Sequence, residues 1–187
     1  MKTRHFSVIC VVILFVTMFS HVKAQPTADN KEDARIFVQK FYDWYGALDA
    51  AYKPHQIAPF RVVVNKRAAD IDVPLRNAIM HYFNSSLKGA DMGLDFDPII
   101  AAQDTRSGFQ TGDVKQKGNN FFVDVHDIKS GAPQKSISAE LILTVEVSKI
   151  NGQWELVNFI YPPSNGGSNL LMILNNFAKD NDKTASK

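Results

Sequence analysis

A strongly aromatic amphipathic stretch at residues 29–52 constrains the fold more than any other part of the chain. On a helix with 3.6 residues per turn, its apolar side chains fall on one side, and Ile36 is the only exception. That side comprises Ala34, Phe37, Val38, Phe41, Tyr42, Trp44, Tyr45 and Leu48. The other side comprises Arg35, Gln39, Lys40 and Asp43. Because so aromatic a surface is unfavourable in water, another broad apolar surface is expected to cover it.

Residues 1–24 have the pattern of a secretory signal peptide. Lys2 and Arg4 form a basic start, residues 6–19 are almost wholly apolar, and small residues precede Gln25. The apolar run of about 14 residues is shorter than the roughly 20 that cross a bilayer. We predict cleavage before Gln25 and a periplasmic or secreted mature protein; the alternative is an uncleaved N-terminal anchor. No later stretch is predicted to span a membrane.

Removal of this leader changes the charge of the chain. The leader holds three of the 21 Lys and Arg residues and no acid, which leaves 163 residues with 18 bases against 19 acids. The formal charge therefore falls from +2 to −1, and no nucleic-acid partner is predicted. The single cysteine, Cys10, lies in the leader. The mature chain thus has no disulfide or thiol nucleophile, which favours bacterial export.

Further helices are predicted at residues 72–88, from Pro98 onward, and at 169–177. Their expected N-caps are Asp72, Asp97 and Ser168, and the spacing of Asp29 and Glu32 is typical of a capping box on the first helix. Pro74 suits a first helical turn. Residues 53–71 contain helix-breaking prolines and receive no assignment, because residues 60–64 fit either a strand or a helical turn.

From Phe109 onward the apolar residues alternate, which predicts a sheet. Strands are predicted at residues 109–117, 121–128, 138–150 and 153–161. Asn151-Gly152 is a strong hairpin signal, and a two-residue turn there pairs Val147 with Leu156 and Val145 with Asn158. Helices followed by an antiparallel meander and a closing helix indicate an α+β fold. We predict one domain at 25–178 and a flexible tail at 179–187.

Four segments of the chain are distinctive: FVQKFYDWY at residues 37–45, LDFDPIIAAQD at 94–104, the NGQWELVNF hairpin, and the glycine-rich loop before NLLMIL. Together they resemble an uncharacterised family of exported bacterial proteins, a domain of unknown function similar in architecture to the NTF2-like (cystatin-like) cone. The resemblance covers about residues 33–177. It implies export and a long N-terminal helix packed on a curved four-stranded antiparallel sheet, followed by a short C-terminal helix. It carries no established active site.

The predicted register has a consequence for assembly. It places a set of apolar side chains on the outer face of the sheet, namely Ile142, Val157, Phe159 and Tyr161. An exposed apolar face of this kind marks an interface. A homodimer through the outer sheet face is therefore expected.

The same register predicts a small-molecule site. The Asn158 amide falls among apolar side chains on the face expected to meet the first helix. One polar group in an aromatic cavity is typical of ligand sites, so Phe41, Trp44, Tyr45 and Asn158 are the candidate ligand-binding residues. The alternative is an Asn158 amide satisfied by neighbouring groups of the fold.

Two further sets of residues are candidates for chemistry. Asp124 and His126 alternate on one strand face and could transfer protons if that face lined a cavity; the alternative is a solvent-facing pair. The acidic residues Asp91, Asp95, Asp97 and Asp104 could hold a cation, or they could cap turns, which is the preferred interpretation. Neither a metal-ligand spacing nor a nucleotide motif is present, so no metal and no cofactor is predicted.

The sequence favours a non-catalytic exported domain that binds a protein partner or a small apolar ligand. The first alternative is an NTF2-like proton-transfer enzyme that uses Asp124 and His126. The second is a periplasmic immunity or inhibitor protein. Fold resemblance cannot choose among these, because one fold serves unrelated functions.

Overall fold

The computed structural model describes residues 28–53, 56–86, 94–128 and 140–185, so the predicted leader lies outside the described residues. Within these ranges the fold is α+β, as predicted. The helices are α1 (Ala28–Ala50), α2 (Pro59–Lys66), α3 (Val73–Ser86) and α4 (Leu170–Ala185). The strands are β1 (Phe109–Lys117), β2 (Asn120–Asp127), β3 (Leu141–Ile150) and β4 (Gln153–Ile160). The four strands form one antiparallel sheet in the order β1-β2-β3-β4.

Helix α1 buries the side that its pattern predicts. Phe41, Tyr42 and Tyr45 are fully buried, whereas Ile36 is 38% exposed. The Tyr42 ring lies 5.0 Å from the ring of Phe109 in β1. Asp29 already belongs to the helix, so it is not the N-cap. Glu32 does not complete a capping box either, because its carboxylate pairs with Arg35.

Gln39 is the exception on the predicted polar side of α1. Its Nε2 donates to the Phe109 carbonyl at 3.1 Å, and its Oε1 accepts from the Thr111 backbone N–H at 2.9 Å. The Thr111 hydroxyl donates to the same oxygen at 3.0 Å. Strand β1 lies at the edge of the sheet, where backbone groups lack a strand partner. The Gln39 amide supplies that partner and ties α1 to the sheet.

The β3–β4 hairpin begins as predicted. Asn151 and Gly152 have φ angles of 50° and 83°, the left-handed conformation that a tight two-residue turn requires. Ile150 pairs with Gln153, and Val147 pairs with Leu156. The hairpin signal in the sequence is therefore confirmed up to this pair.

Beyond Leu156 the predicted register is wrong. Val157 has no partner, since Leu156 pairs with Val147 and Asn158 pairs with Glu146. A bulge of one residue moves every later side chain to the opposite face. Phe159 consequently pairs with Val145 and turns inward, where its ring lies 6.3 Å from that of Phe41.

This bulge also removes the predicted apolar outer face. Phe159 and Tyr161 are almost fully buried, and Ile142, which lies in a second bulge between β2 and β3, is fully buried. Only Val157 of the predicted set is partly exposed. The face on which a homodimer was predicted is therefore not formed by these residues.

The segment without an assignment contains a helix. In α2, Pro59 occupies the first turn, and Phe60, Val63 and Val64 lie at helical spacing and are buried. Ile71 then forms a parallel bridge with Leu156 at the edge of β4. Asp72 caps α3 as predicted, since its Oδ1 accepts the Leu75 N–H at 2.9 Å.

Helix α4 differs from its prediction at both ends. Its N-cap is Asn169 rather than Ser168, because the Asn169 Oδ1 accepts the Met172 N–H at 3.0 Å. The helix also continues past Phe177 to Ala185, into the segment predicted as a tail. In the part of the chain that the structure describes, no helix combines the length and the apolar character needed to cross a membrane.

Candidate functional site

The four residues predicted to bind a ligand lie in two separate places. Phe41 and Tyr45 are stacked with ring centroids 6.0 Å apart, and both are fully buried. Trp44 is partly buried, and the guanidinium carbon of Arg67 lies 5.2 Å from its ring centroid. Asn158 does not join this group, because the bulge at Val157 turns it away from the ring of Phe41.

The Asn158 amide belongs to the start of α4. Its Nδ2 donates to the Asn169 Oδ1 at 3.1 Å, and its Oδ1 accepts the backbone N–H of Leu171 at 3.2 Å and that of Phe159 at 3.0 Å. Two asparagine side chains therefore satisfy the first backbone donors of the helix. The Asn158 amide is therefore satisfied by neighbouring groups of the fold, which was the alternative interpretation of this residue.

The segment after Asp97 is a buried turn, not the short helix predicted there. The Asp97 Oδ1 accepts the Ile99 N–H at 2.9 Å, so Asp97 bonds a turn rather than capping a helix, in line with the preferred interpretation of the acidic residues. The Asp97 backbone N–H donates to the Ala102 carbonyl at 2.8 Å and closes the turn. Ala101 takes a φ of 49°, which is unusual for a residue with a side chain.

Three side chains satisfy successive carbonyl groups of this turn. The Tyr161 hydroxyl donates to Pro98 at 2.9 Å, the Tyr42 hydroxyl to Ile99 at 2.7 Å, and the Arg106 Nε to Ile100 at 2.9 Å. Arg106 also pairs with Asp127 of β2 at 2.9 Å. Since buried carbonyls need donors, these bonds fix the turn between α1 and the sheet.

The other oxygen of Asp97 connects the turn to α1. The Tyr45 hydroxyl donates to the Asp97 Oδ2 at 2.5 Å. Burial, with a smaller contribution from the nearby Asp49 carboxylate, raises the pKa of Asp97 to about 6 against the opposing hydrogen bonds from Tyr45 and the turn. Burial also raises the pKa of Tyr45 well above its ordinary value, so Tyr45 remains a hydrogen-bond donor.

Asp49 lies one helical turn after Tyr45 and is the unusual residue of this region. It is only 6% exposed, and its Oδ2 has no hydrogen-bond partner among the residues that the structure describes. Burial raises the pKa of Asp49, and a hydrogen bond from the Arg106 backbone N–H partly opposes this shift. A buried polar atom without a partner is costly, so native structures rarely keep one without a reason.

Asp49 lines a cavity of about 300 Å³, which we call the Asp49 cavity. It is formed by the end of α1, the start of α2, the end of α3 and the segment 94–105. Its lining consists of Asp49, Tyr52, Ala58, Pro59, Phe60, Tyr82, Phe83, Leu94, Asp95, Phe96, Asp97, Pro98, Ile100, Gln103 and Thr105. This lining combines carboxylates with aromatic rings, and no described lining residue is a Lys, Arg or His.

Sequence reasoning missed this cavity, although one signal was present. Asp49 follows Tyr45 by four residues and Tyr42 by seven, so it lies on the apolar side of α1. A carboxylate on an otherwise aromatic helix side is a candidate functional group. Of the predicted ligand-binding residues, only Tyr45 reaches the cavity region, through its bond to Asp97.

The remaining candidates do not form a site in the described parts of the chain. Asp124 lies on the sheet face opposite the buried Val123 and Val125, where it accepts from the Thr144 hydroxyl at 2.7 Å. His126 lies on the same face, so both side chains of this pair point away from the buried side of the strand. Asp91 lies outside the described residues, and no group of three or more metal-ligating side chains was found among the rest.

Comparison of the chain with protein-family models, with curated proteins and with solved structures gave no match. The geometry of the Asp49 cavity is therefore the basis on which a function is proposed below.

Proposed function

We propose that this chain is an exported binding domain that holds a small molecule in the Asp49 cavity. The observation that carries the proposal is the Asp49 Oδ2, a buried carboxylate oxygen without a partner in the described structure. Its free energy cost is offset when a ligand supplies the missing hydrogen bond. The cavity volume of about 300 Å³ also falls within the range of small-molecule sites.

The polar groups of the site are held in place by hydrogen bonds, which supports a role in binding. Two tyrosine hydroxyls and Arg106 hold the turn that carries Asp97, and Tyr45 fixes the Asp97 carboxylate. A site whose polar groups are already fixed loses little conformational entropy when the ligand arrives. This preorganisation is what a binding protein requires.

The NTF2-like cone is part of the same proposal. A long helix touches β1 through Tyr42 and β4 through Phe41, and each pair of neighbouring strands has an irregularity in its register. Bulges bend strands and increase their twist, which favours a curved sheet around α1. Export rests on the leader pattern at residues 1–24.

The test is native mass spectrometry of the protein purified gently from the periplasm of an expressing bacterium. We expect a mature mass that begins at Gln25, with a second species that carries a small additional mass. The Asp49→Asn variant is expected to lose that species, whereas Asp33→Asn, which changes an exposed residue of the same helix, is expected to keep it. Equal retention by both variants, or no bound mass in the parent protein, would overturn the proposal.

A further inference from the structure

The lining of the Asp49 cavity carries charge of one sign. Asp49, Asp95 and Asp97 all contribute to it, and the described lining includes no basic side chain. We infer that the cavity takes an organic cation: a protonated amine attached to an apolar or aromatic body. This inference rests on the proposed function and specifies its ligand.

The hydrogen-bonding chemistry of Asp49 favours a cation. An ionised carboxylate can only accept, and its Oδ2 lacks a donor among the described residues. An ammonium group supplies both the donor and the opposite charge, and such charge-assisted bonds are about twice as strong as neutral ones. A neutral donor or a water molecule would satisfy the oxygen without compensating its charge. A ligand carboxylate or phosphate would be repelled.

Asp97 adds negative charge at a different point of the lining. Its two oxygens already accept from Tyr45 and from the turn, so it contributes negative charge without needing the ligand as a donor. Asp95 is exposed and lies at the solvent side. The carboxylates therefore differ in surroundings, and Asp49 is the buried one whose Oδ2 has no donor among the described residues.

The aromatic part of the lining also favours a cation with an apolar body. The rings of Phe60, Tyr82 and Phe83 form a cluster with centroid separations of 6.3 Å, 5.2 Å and 5.3 Å. Aromatic faces attract cations and also bury apolar groups. The guanidinium carbon of Arg61 already lies 4.7 Å from the Phe83 centroid, so one cation contacts this cluster in the protein itself. Arg61 does not line the cavity.

The cavity fits an organic cation better than a metal ion. A calcium ion takes six to eight oxygen ligands, and the described residues offer no cluster of three or more metal-ligating side chains. An aromatic lining around a volume of about 300 Å³ instead favours a ligand with an apolar body. Tyr52, which is 37% exposed, adds an aromatic ring to the lining at a point that solvent reaches.

The experiment measures the affinity of three probes with one ring and different charge: benzylamine, benzyl alcohol and benzoate. Isothermal titration at pH 7.5 is expected to show at least tenfold tighter binding of benzylamine than of benzyl alcohol, and no binding of benzoate. Cyclohexylamine and cyclohexanol, as a second pair, are expected to give the same order. The order would be lost if burial of the ring alone determined affinity.

Variants connect the preference to the residue. Asp49→Asn keeps the shape and is expected to weaken benzylamine at least tenfold while leaving benzyl alcohol unchanged. Asp33→Asn is the matched control and is expected to change neither affinity. Should Asp49→Asn fail to fold, Asp95→Asn serves instead, with an expected loss of two- to fivefold for the amine.

The outcomes separate this inference from the proposed function. Equal binding of amine and alcohol, insensitive to Asp49→Asn, would overturn the organic cation and leave a binding cavity in place. Failure of every amine to bind would also overturn it. In that case, a retained mass in native mass spectrometry that depends on Asp49 would still support a small-molecule site.

Discussion

Asn158 and Asp49 are two buried polar side chains with opposite surroundings. Asn158 is 9% exposed and Asp49 is 6% exposed, so burial does not distinguish them. The amide of Asn158 has partners for both its oxygen and its nitrogen, whereas the Asp49 Oδ2 has none in the described structure. A satisfied polar group is explained by the fold, and an unsatisfied one requires a further explanation. Hydrogen bonding thus separates a structural residue from a candidate binding residue.

The two regions also differ in whether they contain ionisable side chains. The start of α4 is joined to β4 by neutral amides, so no proton is gained or lost there when the chain folds. At the Asp49 cavity, burial raises the pKa values of Asp49 and Asp97. Stability should therefore depend on pH through the cavity region and not through Asn158.

The largest effect is expected for Asn158→Leu. The change removes the acceptor of the Leu171 N–H, and it removes one of the two donors to the Asn169 Oδ1, which keeps only the Met172 N–H. We expect a loss of about 3 kcal/mol in the free energy of unfolding, measured by urea denaturation. Asn175→Leu, at an exposed position of α4, is the control and should change stability by less than about 0.5 kcal/mol. A tolerated Asn158→Leu would contradict the structural role of this amide.

The next effect is the pH dependence that arises from Asp97. Its pKa is raised by folding from an ordinary value of 3.8 to about 6, so the folded state holds the proton more tightly than the unfolded state. The contribution of Asp97 to stability is therefore largest below about pH 4 and is lost as the pH rises to about 6. Each pKa unit corresponds to about 1.4 kcal/mol, and partial hydration reduces the total expected loss to about 2 kcal/mol.

Asp97→Asn tests this dependence. The variant amide can accept the Ile99 N–H through oxygen and donate to the Tyr45 hydroxyl through nitrogen, so the geometry is preserved. Urea denaturation at a series of pH values from 4 to 7 should show a smaller decline in stability than in the parent protein. Asp49 remains in both proteins and contributes a decline of the same sign. Parallel curves for the two proteins would show that Asp97 is not the responsible group.

A smaller effect of the opposite sign is expected for Asp49→Leu. Replacement of a buried carboxylate by an apolar side chain removes the cost of its desolvation, which we expect to outweigh the lost hydrogen bond from the Arg106 backbone N–H. The cavity provides space for the new methyl groups. We expect the ligand-free protein to gain about 1 kcal/mol at pH 7, observed as a higher midpoint of thermal unfolding. A loss of stability would mean that Asp49 has a structural role like that of Asn158, and the comparison between them would fail.

The sequence predicts those features that depend on local chemistry. Asn151 and Gly152 specify the hairpin turn, and the pairs next to it follow at once. The bulge at Val157 is different, because it allows Phe159 to meet Phe41 of α1. That contact joins residues far apart in the chain, so the local alternation of apolar residues could not reveal it.

The candidate site shows the same limit. The Asp97 side chain does bond the turn that follows it, because that bond joins neighbours in the chain. Its bond to Tyr45 and the lack of a partner for the Asp49 Oδ2 depend on how α1, α2 and α3 surround the segment 94–105. The sequence places Asp49 on the apolar side of α1, but only the tertiary structure shows that it lines a cavity.

The smallest predicted effect concerns the cap of α4, where sequence and structure select adjacent residues. The Asn169 carbonyl accepts the first helical bond from Ile173, and its side chain accepts from Met172, so Asn169 occupies the N-cap. Ser168→Ala should therefore change the free energy of unfolding by less than about 0.5 kcal/mol, as measured by urea denaturation. Asn169→Ala, as the comparison, should cost about 1 kcal/mol, because it removes the cap and the partner of Asn158. If Ser168→Ala were the more destabilising change, Ser168 rather than Asn169 would be the N-cap of α4, and the hydrogen bonds assigned to Asn158 and Asn169 would be contradicted.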